Sequence, residues 1–184
     1  MDKQQLRKLT MIRLESIPEQ TLREAGRCME ETVLSSAWFR QAESIFSYVS
    51  VNREPSTRRI LHEALREGKR VYVPRCVDRQ RMRAVRIWSM EDLAPGKLGI
   101  PEPREERETA LAEELNLMIV PCICAARDGS RLGHGAGYYD RFLEKNRDNT
   151  LCLCYEELLR DDIPMTPLDV WMHRVLTEKD ADAV

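Results

Sequence analysis

The sequence predicts a three-layer α/β/α fold, one domain over residues 1–184, on a mostly parallel central sheet. Three observations carry this. Residues 44–50 are aromatic and β-branched, 56–67 read as a helix stopped by Gly68, and 70–74 are β-rich again. Strand, helix and strand in that order make a right-handed parallel crossover. Residues 117–120 form a wholly apolar run ended by Pro121, as in a buried strand. A chain of 184 residues lies within the range of one domain, about 100–200 residues, and can cover a sheet on both faces.

The elements follow in order. Leu6, Leu9 and Leu14 set among Lys and Arg give a first helix over residues 3–14. Ser16 with Glu19 three residues on, and Pro18 between them, signals a capping box and a second helix running toward Phe39. After the crossover, residues 83–88 alternate as a strand. Pro95, Gly96, Gly99, Pro101 and Pro103 mark a long loop able to cover a site, and residues 105–114 suggest an acidic surface helix. A helix over 138–145, a strand over 151–155 and a short strand at 175–177 complete the chain.

Composition narrows the function. A formal net charge of -2 offers no general attraction for nucleic acid or an anionic membrane, so any phosphate site must be local. No run approaches the ~20 apolar residues of a membrane helix, and the polar opening residues lack a signal-peptide core. A cytoplasmic protein is expected, with six cysteines held as thiols. Small molecules, not nucleic acid or membrane, are the expected partners, and a monomer is favoured.

The segment with the most chemistry runs from Arg131 through Leu132, Gly133, His134, Gly135, Ala136, Gly137, Tyr138 and Tyr139 to Asp140. Alternating glycines allow positive φ and close approach to a ligand, so it reads as a phosphate cradle opening a helix. It reads equally as a simple strand-to-helix turn. Arg131 adds a forked cation, and the Asp140 carboxylate suits a hard divalent cation. Lys3 and Arg7, four apart on one helix face, would share an anion or form a solvated basic face. Glu54 follows the first core strand, where open α/β sheets bind ligands, and reads equally as a surface residue before a helix cap. Cys122, Cys124, Cys152 and Cys154 leave open a four-thiolate zinc site beside the reading as small core residues.

Lys3-x-x-Leu6-Arg7, Glu54 with Thr57, residues 99–103, Val120-Pro121 and residues 131–140, in this order and spacing, resemble the 5-formyltetrahydrofolate cyclo-ligase family. The resemblance implies ATP bound by Lys3, Arg7 and the loop from Arg131 to Tyr139, with Asp140 on Mg2+. It also implies a reduced formylfolate touched by Glu54 and Tyr138, with catalysis resting on Arg131 and Asp140. The implied reaction is ATP-dependent closure of 5-formyltetrahydrofolate to 5,10-methenyltetrahydrofolate through a phosphorylated formyl group, achieved by alignment and charge neutralisation. Three positions depart from the pattern. Ala125-Ala126 stand where an aromatic residue and Asp are usual, and His173 where an acidic residue that assists the metal is expected. They motivate an alternative, a non-catalytic folate- or nucleotide-binding paralogue.

Overall fold

The computed structural model describes residues 1–96 and 99–180. Helix α1 (Lys3–Ser16) starts on Asp2, whose carboxylate accepts the Gln5 amide at 2.8 Å while the Gln5 side chain accepts the Asp2 amide at 3.1 Å. Ser16 caps nothing downstream. Its hydroxyl donates to the Arg13 carbonyl at 2.6 Å and closes α1, so the expected capping box is absent and α2 (Glu19–Ser35) begins at Pro18 without a side-chain cap. The second helix also stops short of Phe39. Ser36 donates to the Val33 carbonyl at 2.6 Å, accepts the Phe39 amide at 3.2 Å, and so ends α2 and starts α3 (Ala37–Gln41).

Strand β1 (Ser44–Ser47) is fully buried, and α4 (Arg58–Arg66) ends at Gly68, where φ is +76°. β2 (Arg70–Cys76) lies parallel to β1, and β3 (Met82–Ile87) turns back antiparallel on β2. The proline-rich segment is not only loop. β4 (Leu93–Pro95) and β5 (Pro101–Pro103) form a hairpin, while Lys97 and Leu98 lie outside the described residues.

No acidic helix forms over residues 105–114. The edge of the sheet claims its carboxylates: Glu108 takes Arg86 and the Tyr72 hydroxyl, each at 2.8 Å, and Glu106 pairs with Arg83. The backbone is thereby held extended as β6 (Thr109–Ala110), paired with β3, before one 3-10 turn at Ala112–Glu114. Then come β7 (Leu117–Val120), β8 (Cys124–Ala126), β9 (Arg131–Leu132), α5 (Tyr138–Leu143), β10 (Thr150–Leu153), β11 (Leu159–Arg160) and β12 (Arg174–Leu176).

The main sheet has the order β12-β10-β7-β1-β2-β3-β6. It is parallel from β12 to β2 and antiparallel beyond, which matches the mostly parallel expectation. The steps β1→β2 and β7→β10 run in opposite directions across the sheet. Right-handed crossovers therefore put α4 and α5 on opposite faces, giving three layers. α5 packs its Phe142 ring 5.1 Å from that of Phe46 on β1, and α2 packs against α4. The reversal falls between β1 and β7, and the crevice beyond their C-terminal ends is where open α/β sheets take ligands. Among the described residues no helix is long and apolar enough to cross a membrane.

Candidate active site

That crevice is a cleft of about 740 Å³. Its floor comes from the strand ends: Tyr48 and Val49 after β1, Pro121 and Cys122 after β7, Cys154 and Tyr155 after β10. Lys3, Arg7, Met11 and Leu14 of α1 form one rim, and Pro74, Met82, Ile100 and Glu102 form another. The residues read from the sequence as holding ATP, folate or magnesium, namely Lys3, Arg7, Glu54 and all of 131–140, line this one cleft.

β9 holds Arg131 antiparallel to β8, opposite Ala125, with only 5% of its surface exposed. Its guanidinium donates to Asp140 Oδ1 at 2.9 Å and lies 5.9 Å from the centre of the Tyr139 ring, while its Nε has no partner among the described residues. The chain then enters the glycine loop. Gly135 (φ +98°) and Gly137 (φ +68°) occupy the left-handed region, and a Cβ on Gly137 would stand 2.7 Å from the Arg141 guanidinium. The amides of His134, Gly135, Ala136 and Gly137 donate no hydrogen bond among the described residues. Consecutive unsatisfied amides under a buried arginine suit an anion. α5 itself is six residues long, ending at Leu143 instead of Lys145, so the loop and not a long helix dipole supplies the polarity.

α1 closes over the loop. Arg7 Nε donates to the Gly133 carbonyl at 2.8 Å, and Lys3 pairs with Asp169. The backbone amide and hydroxyl of Thr166 each donate to the same Asp169 oxygen at 2.6 Å. Burial pushes the Asp169 carboxyl up, but the Lys3 and Thr166 bonds outweigh it and hold it below the usual carboxylate range. The Val170 amide donates to Asp140 Oδ1 at 3.2 Å, so the two aspartates are tied into one network with Arg131 and Lys3.

Glu54 is held in a tight turn in which Asn52 takes φ +51°, and its Oε2 accepts the Val51 amide at 3.0 Å. His134, exposed, sits 3.7 Å from Glu54 Oε1. Tyr138 donates its hydroxyl to the Asp78 carbonyl at 2.8 Å, which ties the loop to the β2–β3 turn. Burial, with the Glu54 charge second, pushes the Tyr139 phenol far above its ordinary value.

Asp169 and Glu102 are cleft residues to which the sequence reading assigned no role, although Glu102 lies within the 99–103 segment of the resemblance. Asp169 lies in the irregular run between β11 and β12, where no periodicity points to it, and the Thr166-x-x-Asp169 turn spacing is its only local signal. His173, expected to stand in for a metal-assisting acid, is exposed and lines no part of the cleft. Its amide donates to Thr150 Oγ1 at 2.8 Å, and the acidic residue of the β11–β12 run that lines the cleft is Asp169. Ala125 and Ala126 are fully buried in β8 and also lie off the cleft. The zinc alternative falls too: among the described residues no three His, Cys, Asp or Glu are placed to hold a metal. The neighbouring Cys152 and Cys154 thiols, and burial, push Cys122 well above the ordinary thiol value, which suits neutral core side chains.

The 5-formyltetrahydrofolate cyclo-ligase family model matches residues 1–178. A relative from Arabidopsis thaliana, named 5-formyltetrahydrofolate cyclo-ligase, mitochondrial, is 33% identical over 81% of this chain, which spans 64% of that protein's length. A probable 5-formyltetrahydrofolate cyclo-ligase from Caenorhabditis elegans is 27% identical over 96% of this chain and 92% of its own. The NMR structure of Aquifex aeolicus 5,10-methenyltetrahydrofolate synthetase superposes with a TM-score of 0.87 at 26% identity, covering 97% of this chain and 91% of that one.

Proposed function

The chain belongs to the 5-formyltetrahydrofolate cyclo-ligase family, and on that premise we propose that its cleft converts 5-formyltetrahydrofolate and ATP to 5,10-methenyltetrahydrofolate, ADP and phosphate. One observation carries the reading. A buried arginine, four unsatisfied amides and two α1 cations face one cleft at the sheet's switch point. This is a triphosphate site.

In the proposed reaction the formyl oxygen attacks the γ-phosphorus and ADP leaves. N10 then attacks the activated formyl carbon, and phosphate departs as the ring closes. No protein nucleophile is required, and the buried thiols near the floor are poor ones. The side chains align the reactants and stabilise charge on the transferring phosphoryl group, a contribution of about 3–4 kcal/mol for a single well-placed donor. Arg131, Lys3 and Arg7 with the amides of 134–137 take the phosphates; Glu54 and Tyr138 contact the folate.

Magnesium fits the donors present. Asp140 Oδ2 and Asp169 Oδ1 receive no hydrogen bond among the described residues, and two hard carboxylates would leave the remaining positions to phosphate oxygens and water, as this ion prefers. When bound it supplies neutralisation of the phosphate charge. We further propose one domain, supported by one continuous apolar core, a cytoplasmic setting, consistent with the reduced cysteines, and a monomeric state.

Nothing at the cleft favours the non-catalytic alternative, since Ala125, Ala126 and His173 all lie off it. Mixing protein, 5-formyltetrahydrofolate, magnesium and ATP should raise the methenyl-folate absorbance band, with no rise when ATP is left out. Binding of both ligands without growth of the band would defeat the proposal.

A further inference from the structure

We propose that Glu102 is the residue that recognises the pterin ring, accepting two parallel N–H bonds from its 2-amino-4-oxopyrimidine edge; this rests on the folate reading of the cleft. Glu102 is 9% exposed, lines the cleft, and makes no ion pair among the described residues. Its one hydrogen bond, from the Cys76 amide to Oε1, is long at 3.4 Å, and Oε2 has none. The comparison within the chain is Glu30, buried to 6% exposure, whose Oε1 accepts both the Ser56 hydroxyl at 2.8 Å and the Arg59 amide at 3.0 Å. A carboxylate removed from water needs such partners. Glu30 finds them in the protein, whereas Glu102 faces the cleft without them.

The surroundings define the partner. Gly96 lies directly on the Glu102 side chain, since a Cβ there would stand 2.6 Å from its Cγ and Cδ, so the hairpin backbone fixes the carboxylate in place. Pro74, Met82 and Ile100 flank it on the same rim with apolar surface suited to a flat ring. A carboxylate repels phosphate, so the triphosphate is kept to the α1 side. It also selects between the two heteroaromatic rings that must enter. The pterin edge offers two adjacent donors, N3–H and the 2-amino group, matching two carboxylate oxygens. Adenine pairs its amino donor with a neighbouring acceptor nitrogen and would face one oxygen with a lone pair. Glu54 is a weaker candidate, because its Oε2 already accepts the Val51 amide at 3.0 Å.

The test compares wild type with Glu102→Gln and Glu54→Gln, using 5-formyltetrahydrofolate and its 2-desamino analogue. Glu102→Gln should raise the folate KM by about 10-fold or more, the scale of losing hydrogen bonds to a charged group, and leave the ATP KM within about twofold. Wild type and Glu54→Gln should still prefer the amino compound; Glu102→Gln should not. An unchanged folate KM and retained preference in Glu102→Gln overturn the inference. Should that variant not fold, wild type binding both compounds equally overturns it instead. If wild type binds 5-formyltetrahydrofolate by calorimetry but forms no methenyl product, the reaction assignment fails, and the desamino comparison by binding still decides the role of Glu102.

Discussion

The two rims of the cleft are charged in opposite ways and satisfied to different degrees. On the α1 side every cation already has a protein partner: Lys3 has Asp169, Arg7 the Gly133 carbonyl, and Arg131 has Asp140. On the hairpin side Glu102 has one long hydrogen bond. On the proposed reading, ligand phosphates compete with or share existing partners, and their net gain comes largely from the four amides that have none among the described residues. The hairpin rim has nothing to give up. One rim exchanges partners while the other gains them.

Breaking the exchange rim at its centre has the largest expected effect. Arg131→Ala should reduce kcat/KM by about 10³-fold, the scale of removing one charge-stabilising donor. It also leaves Asp140 without its cation, so stability should fall by about 3 kcal/mol in denaturant unfolding. Loss of stability with full turnover would remove Arg131 from the chemistry. A finer cut is Gly135→Ala. At φ +98°, with a new Cβ 3.3 Å from the Arg7 guanidinium, the loop must shift, raising the ATP KM by roughly 10-fold while the folate KM stays level. Equal changes in both constants would mean that the rims are not separable.

The smallest effect belongs to three tyrosines of the cleft, two on its floor and Tyr139 at the start of α5. Burial pushes the phenols of Tyr48, Tyr139 and Tyr155 above their ordinary value of 10.0. Groups raised in the folded state contribute stability fully present below the unfolded pKa and lost as pH rises toward the folded one. Unfolding free energy should thus decline from about pH 10 upward, by about 1.4 kcal/mol per pH unit for each tyrosine that ionises only on unfolding. A flat profile between pH 9 and 11 would show a wetter cleft.

What could be read from the sequence was what local pattern encodes. The crossover, the buried β7 and the glycine loop are contiguous, and each appears where its pattern places it. Tertiary competition defeated the rest. The acidic run of 105–114 has helix-forming composition, yet Arg83, Arg86 and Tyr72 bind its carboxylates and straighten it. Ser16 and Glu19 spell a cap that is never made because Ser16 ends α1 instead. Asp169 and Glu102 gain their meaning only from what the fold brings beside them, Lys3 in one case and Gly96 in the other.

The contact of Lys3 with Asp169 spans 166 positions of sequence. While the protein is being synthesised, the first helix can form and wait, but its lysine has no counterpart until translation passes Asp169 and that segment folds back. The side of the cleft proposed to take the triphosphate is consequently among the last features to mature. A prematurely terminated product lacking that segment keeps the glycine loop without this anchor, and so without one part of the proposed phosphate site.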